Sequence, residues 1–168
     1  NNFGGVSKNC LVTILNGSND DDYEELNLIR HSPYHSYESF IHDQKSRLDC
    51  FSLLSLNVQS IRAKFDCLLT FIEGLKEHNI YFSVICFQET WLRPDDSTSL
   101  LSIPHYNLVH KGAYASLHGG LLCYIHESLQ FRTIELGPNS DIWESLFVEI
   151  NDGVNNKKMI VGNIYRPP

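Results

Sequence analysis

The stretch that decides the fold is CFSLLSLNVQSIRAKFDCLLTFIEGLKEHNIYFSVICFQETWL, residues 50–92. Its apolar segments at residues 50–57 and 82–87 are nearly continuous, which is typical of strands covered on both faces of a sheet. Between them, Ser60 is of a type that caps helices, and apolar residues then recur every three or four positions. They are Ile61, Phe65, Leu68, Leu69, Ile72 and Leu75. The stretch therefore predicts a β-α-β unit whose helix has one apolar face.

The sequence downstream of this unit predicts five shorter strands separated by turn residues. They lie at residues 106–110, 120–126, 131–136, 145–150 and 158–165. Their short connections contain glycine, proline and asparagine, which favours sequential hairpins over further helical crossovers. We therefore expect an α/β protein with a mixed β-sheet in a layered arrangement with outer helices.

The length of 168 residues fits one domain with a sizeable core, and the net charge of −7 gives no basic nucleic-acid footprint. An acidic protein can still handle phosphates when a metal ion supplies the positive charge. Residues 1–49 are polar and lack sustained periodicity, which predicts a flexible leader or linker before a domain at residues 50–168. Within that leader, residues 10–15 (CLVTIL) are compatible with a short strand. No apolar run approaches membrane-spanning length, so we expect no membrane partner.

The cysteines and histidines give no pattern typical of disulfides or zinc. The five cysteines include no C-x-x-C pair, and Cys67, Cys86 and Cys123 lie in apolar stretches typical of core residues. The eight histidines include no H-E-x-x-H pattern, which disfavours a histidine-based zinc site. This composition favours a reducing, intracellular location.

Three of the predicted strands end in polar side chains. Asn57 ends the first, Glu89 follows the buried run VICF by two residues, and Tyr165 ends the last. Functional groups gather at the carboxyl edge of α/β sheets, and this set would suit Mg²⁺ and a phosphate. Each residue also has an ordinary structural interpretation. Asn57 can be a turn residue, Glu89 a solvated loop residue and Tyr165 a half-buried aromatic.

Five blocks of the sequence, in order, carry a family resemblance. They are LSLNVQSIRAKFDCL (54–68), VICFQETWL (84–92), HGGLLCYIHESL (118–129), IWESLFVEI (142–150) and VGNIYRPP (161–168). The series resembles the endonuclease/exonuclease/phosphatase superfamily, and within it the apurinic-type endonuclease domain of non-LTR, LINE-like retrotransposons. The resemblance implies the N-terminal half of a four-layered, DNase I-like α/β sandwich over residues 50–168, truncated at its C-terminus.

The resemblance also implies roles for individual residues. Asn57 would orient the phosphate and the metal ion, Glu89 would be a metal ligand, and Tyr165 would contact the scissile phosphate. The implied ion is Mg²⁺, with Mn²⁺ as a second candidate. Gln88 and Thr90 would be supporting neighbours. Glu144 is interpreted as an ordinary strand residue that could lie near the site.

Family members follow the Y-x-P block with a helix, a G-D-F-N block, a further aspartate and a histidine near the end of the domain. These groups activate water and stabilise the transition state in the family. They do not occur in this sequence, so we expect the 168 residues to be inactive as a fragment.

Three hypotheses about function stay open on the sequence alone. In the first, the chain is part of a retroelement endonuclease that nicks target DNA and leaves a 3′ hydroxyl to prime reverse transcription. Its partners would be the DNA backbone and the reverse transcriptase region of the same polyprotein, in the nucleus by analogy. In the second, it is a decayed or truncated fragment without catalytic activity. In the third, it is another phosphodiesterase or phosphatase of the superfamily, although ETWL and NIYRPP favour the retroelement branch.

Overall fold

The computed structural model describes residues 40–42, 51–113, 118–135, 143–152 and 157–166. The elements in these ranges, besides a helical turn at 40–42, are named here in chain order. They are β1 (Leu53–Asn57), α1 (Ile61–Glu77), β2 (Val84–Gln88), a 3-10 turn (Ser99–Leu101), β3 (Tyr106–Lys111), β4 (Leu121–His126), β5 (Gln130–Ile134), β6 (Glu144–Asp152) and β7 (Lys157–Tyr165). The strands and the helix predicted from residue 50 onward are confirmed, whereas residues 10–15 lie outside the described ranges.

The strands form two sheets. Sheet A has the order β1-β2-β4-β3, and sheet B has the order β5-β6-β7. β1 and β2 pair in parallel and are joined by α1, which confirms the β-α-β unit. The remaining pairings are antiparallel, and those of β3 with β4, β5 with β6 and β6 with β7 are the predicted sequential hairpins. The prediction fails between β4 and β5, which lie in different sheets, and β4 pairs instead with β2.

The two faces of sheet A are buried against different partners. On one face Leu54, Phe87 and Tyr124 pack with the apolar stripe of α1. On the other face the strands of sheet A pack against sheet B, where Val148 is fully buried. The described residues therefore stack as helix, sheet and sheet, and burial on both faces explains the continuous apolar run of β2.

The three cysteines predicted to be core residues do not all lie in the core. Cys86 and Cys123 are buried between the sheets, but Cys67 is exposed. Cys67 lies on α1 between the buried positions Phe65 and Ile72, off the apolar stripe, so its neighbours in sequence misled the prediction.

The N-terminus of α1 is held by backbone contacts rather than by a side-chain cap. Ser60 occupies the N-cap position, as predicted, but its side chain makes no capping hydrogen bond. Its backbone N–H donates to the carbonyl of Glu89 at 2.9 Å, and the N–H of Ile61 donates to that of Thr90 at 3.1 Å. The start of the helix is thereby fixed to the loop that follows β2.

Part of the segment predicted as a leader packs against the domain. Ile41 is buried, and Phe40 packs beside it against the helix-side core. The ring of Phe40 also stacks with Phe82 at a centroid distance of 6.4 Å. No helix in the described part of the chain is long and apolar enough to cross a membrane.

Candidate functional site

Asn57 and Glu89 meet at one end of sheet A. β1 and β2 run in parallel, and Asn57 pairs in register with Gln88, the last residue of β2. Glu89 is the next residue after Gln88. The Nδ2 of Asn57 donates a hydrogen bond to Oε1 of Glu89 at 2.6 Å. The carboxylate that follows the buried strand is thus paired, which removes the cost of an isolated charge beside the core.

Tyr165 reaches the same point from the other sheet. It ends β7 in sheet B, and its phenol is hydrogen-bonded to Glu89. Burial raises the pKa of Tyr165 to about 12, and the hydrogen bond and negative charge of Glu89 and the charge of Glu144 add to this. The sequence suggested three strand ends at one edge of a sheet, whereas the structure brings them together across two packed sheets.

Glu144 lies at the edge of this group. It begins β6 and pairs in register with Tyr165, and only 7% of its surface is exposed. Its Oε2 accepts a hydrogen bond from the N–H of Gly120 at 2.6 Å. A Cβ on Gly119 would overlap the same carboxylate, so a larger residue there would displace the Glu144 side chain. Glu144 is a strand residue, as interpreted from sequence, but it also closes one side of the site.

Asn163 joins the two sheets beneath the site. It is 2% exposed, and its Nδ2 donates to the carbonyls of Phe87 at 3.1 Å and Leu122 at 3.2 Å. Its Oδ1 accepts from Nε2 of Gln88 at 2.5 Å, and that nitrogen also donates to Ser55 at 3.1 Å. The residue before Glu89 is thereby held on two sides, in keeping with the supporting position predicted for Gln88.

Thr90, the other predicted neighbour, is buried beneath the loop that carries Glu89. It is 1% exposed, and its backbone N–H donates to the carbonyl of Gly120 at 3.1 Å. Its hydroxyl accepts a long hydrogen bond from the N–H of Leu92 at 3.4 Å. These contacts fix the chain immediately after Glu89.

Unfavourable backbone conformations gather around the site. Within the described ranges, six non-glycine residues have positive φ, and four of them lie in the two loops that meet here. The four are Gln59 (46°), Ser60 (82°), Glu89 (53°) and Trp91 (58°). Such conformations cost about 1–3 kcal/mol each and persist only where the surroundings impose them, which is common at functional sites.

The oxygen atoms of the site fit a small divalent cation. Asn57 Oδ1 is buried without a hydrogen-bond partner, one of two such side-chain atoms in the described part of the chain. It belongs to the amide whose Nδ2 donates to Glu89, so one side chain contacts the carboxylate and also carries an unsatisfied carbonyl oxygen. Mg²⁺ takes one or two protein oxygens of this kind and keeps several waters. The described residues contain no cluster of three or more histidine, cysteine, aspartate or glutamate side chains that could hold a metal.

A cavity with different chemistry lies elsewhere. It measures about 410 Å³, and its lining includes Tyr81 before β2, His105 before β3, and His126 and Glu127 at the end of β4. These segments lie at the end of sheet A opposite Glu89. His105 is already paired with Glu127 at 2.8 Å, and both side chains are more than half exposed. We therefore assign the candidate site to the Asn57–Glu89–Tyr165 group.

The roles of two residues of the site were not predicted from the sequence. Asn163 belongs to the block VGNIYRPP, but the sequence predicts no separate role for it. Glu144 is interpreted from the sequence as an ordinary strand residue that could lie near the site. Asn163 lies two positions before Tyr165 and therefore on the same face of β7. This spacing could have identified Asn163 as a neighbour of the site. A polar residue at an inward-facing strand position needs a partner, and here that partner is the neighbouring sheet.

The comparison with known proteins defines the fold. No family model matches this sequence, and no curated protein matches it. Among solved structures the chain is similar to the AP endonuclease LMAP from Leishmania major, with a TM-score of 0.55 and 18% sequence identity. The likeness covers 68% of this chain and 40% of that chain. The chain has a mixed α/β, DNase I-like fold, which confirms the predicted fold class, and it matches less than half of that endonuclease's length.

Proposed function

We propose that this chain is the part of a metal-dependent endonuclease domain that holds the metal ion and the DNA phosphodiester. The proposal rests on one observation. Asn57, Glu89 and Tyr165, from three strands and two sheets, form a single hydrogen-bonded group. Residues in sparsely populated backbone conformations cluster at functional sites, and Glu89 is one of them.

Each of the three residues has a distinct role in this proposal. The carboxylate of Glu89 and Oδ1 of Asn57 would hold Mg²⁺ or Mn²⁺, which supplies positive charge to a phosphate oxygen. The pKa of Tyr165 is raised to about 12, so its phenol, like an ordinary one, is protonated at neutral pH. A protonated phenol donates a hydrogen bond, so Tyr165 would bind a non-bridging oxygen of the scissile phosphate and orient it.

We propose that the groups that activate water lie outside these 168 residues. The family resemblance places an aspartate, an asparagine and a histidine in blocks that this sequence does not contain. Catalytic groups that act as a unit lose their activity together when some of them are missing. The 168 residues should therefore bind metal and DNA without cleaving the DNA.

The specific biology proposed is that of a non-LTR retrotransposon endonuclease. The blocks around Glu89 and Tyr165, ETWL and NIYRPP, support that branch over other phosphodiesterases and phosphatases. The complete enzyme would nick DNA in the nucleus and leave a 3′ hydroxyl. The reverse transcriptase region of the same polyprotein would extend that end.

The test is a plasmid-nicking assay with Mg²⁺ on the 168 residues and on the chain extended along its own reading frame. We expect nicking by the extended protein alone, and its loss in the extended protein with Glu89→Gln. Glu127→Gln in the same protein is the matched control, because Glu127 is an exposed carboxylate at the opposite end of sheet A. Nicking by the 168 residues alone would show that the proposed division of catalytic groups is wrong.

A second candidate is a non-catalytic fragment of the same fold. The single carboxylate in the hydrogen-bonded group favours it, as does the lack of a larger acidic cluster among the described residues. Nicking by neither protein, with metal binding retained, would support this candidate over the first.

A further inference from the structure

Trp91 is exposed and yet rigidly held. Its side chain is 41% exposed, although its neighbours Thr90 and Leu92 are 1% and 0% exposed. Its backbone has a φ of 58°, and its N–H donates to the carbonyl of Gly119 at 2.8 Å. The indole meets the ring of His118 edge to face, with centroids 5.1 Å apart and planes at 72°. The indole is therefore partly open to solvent on a loop whose backbone is fixed.

The backbone of Trp91 is joined to the candidate site. It follows Glu89 by two residues, and the strand-end loop that carries both is pinned to the glycine pair before β4. Gly119, which accepts from Trp91, packs on the carboxylate of Glu144, and Gly120 donates to that carboxylate. Glu144 in turn pairs with Tyr165 across β6 and β7. Trp91 and the Asn57–Glu89–Tyr165 group are therefore linked by one continuous set of contacts.

We propose that Trp91, supported by His118, is a stacking platform for an unpaired nucleobase next to the phosphodiester held by Glu89, Asn57 and Tyr165. The inference rests on the proposed function and extends it to the substrate class, DNA with an unstacked base at the cleavage point. An indole face accepts any base, and stacking needs no positive charge. This suits a chain with a net charge of −7, which cannot rely on a basic surface to hold DNA.

The experiment uses the 168-residue chain with Trp143→Phe, which leaves Trp91 as the only tryptophan of the original two. Two labelled probes of equal length are titrated in low salt with Mg²⁺. One is a single-stranded oligodeoxynucleotide, and the other is a deoxyribose-phosphate strand without bases. Trp91 emission reports stacking, and the anisotropy of the label reports binding.

We expect the base-containing strand to quench Trp91 emission and the base-free strand to leave it unchanged. Trp91→Ala should weaken binding of the base-containing strand about tenfold or more, and leave the base-free strand unaffected. Trp91→Phe should recover part of the loss, because a smaller ring still stacks. The thermal midpoint of each variant checks folding, and it should change little because the indole is exposed.

Two results would overturn the stacking platform while leaving the proposed function standing. One is equal quenching by both strands, and the other is binding seen by anisotropy without any change in Trp91 emission. If neither strand binds by anisotropy, the platform and the proposed function fail together for this chain. Equal affinity of Trp91→Ala and the parent for the base-containing strand would also refute the platform.

Discussion

Asn163→Ala should destabilise the protein more than any other polar substitution on β7, because this one amide joins the two sheets. The variant removes its hydrogen bonds to the carbonyls of Phe87 and Leu122 and to Nε2 of Gln88. At about 1 kcal/mol for each buried hydrogen bond, the expected loss in the free energy of unfolding is about 3 kcal/mol. The weak contact to the sulfur of Cys123, at 3.7 Å, adds little.

Thermal unfolding followed by circular dichroism measures this loss. For a protein of this size, each 1 kcal/mol shifts the midpoint by about 2–4 °C, so about 3 kcal/mol should lower it by about 6–12 °C. Asn107→Ala is the matched control, since Asn107 also lies in a strand, β3, but is exposed. Its effect should stay within about 0.5 kcal/mol. If Asn163→Ala shifts the midpoint no more than Asn107→Ala does, the amide does not join the sheets as described.

Four further predictions concern backbone conformation and pH. Gly120→Ala should cost about 2 kcal/mol or more in urea unfolding, because Gly120 has a φ of +93° and the new Cβ would lie 2.5 Å from the hydroxyl of Thr90. Gly74→Ala, in the interior of α1, should instead stabilise by about 0.5–1 kcal/mol, and a loss there would contradict the helix assignment. Because the folded-state pKa of Tyr165, about 12, exceeds the ordinary value of 10, its stabilising contribution is present below pH 10 and is lost as pH rises toward 12. Spectroscopic titration against Tyr165→Phe should show one phenol ionising near 12, and ionisation near 10 would show that the phenol is not buried beside Glu89 as described. The hydrogen bond from Arg132 lowers the pKa of Glu149 to about 2, so its stabilising contribution is present above pH 4.5 and is lost as pH falls toward 2. Arg132→Ala should return the carboxyl titration seen by NMR toward 4.5, and an unchanged titration would show that the ion pair does not form in solution.

The sequence predicted the elements of this fold because each has a strong local pattern. The apolar stripe from Ile61 to Leu75 and the continuous run of β2 are both recognisable from single segments. Strand ends are also local, which is why Asn57, Glu89 and Tyr165 were singled out before their geometry was known. What local patterns predict is therefore the position of each candidate residue along its own strand.

The relation between the sheets is not a local property, and here the sequence analysis fell short. Nothing in the segment around Tyr165 indicates that β7 belongs to a second sheet packed on β2. The contact of Tyr165 with Glu89 depends on that packing, whereas the hydrogen bond between Asn57 and Glu89 forms within sheet A. Likewise, the sequence around Ser60 does not show that its side chain makes no capping hydrogen bond. The first N–H groups of α1 donate instead to backbone carbonyls of the loop after β2.

The central claim is that Glu89 and Asn57 hold a divalent metal ion, and binding of Mn²⁺ measured by electron paramagnetic resonance tests it most directly. Mn²⁺ is titrated into the unaltered 168-residue chain and into Glu89→Gln, Asn57→Leu and Glu127→Gln. The account predicts one bound Mn²⁺ ion that Mg²⁺ displaces. Glu89→Gln and Asn57→Leu should each lower the affinity for Mn²⁺ at least about tenfold, because even the loss of a residue that only supports a metal ligand typically has an effect of that size. Glu127→Gln should bind as the unaltered chain does. Equal Mn²⁺ affinity in Glu89→Gln and the unaltered chain would contradict the claim.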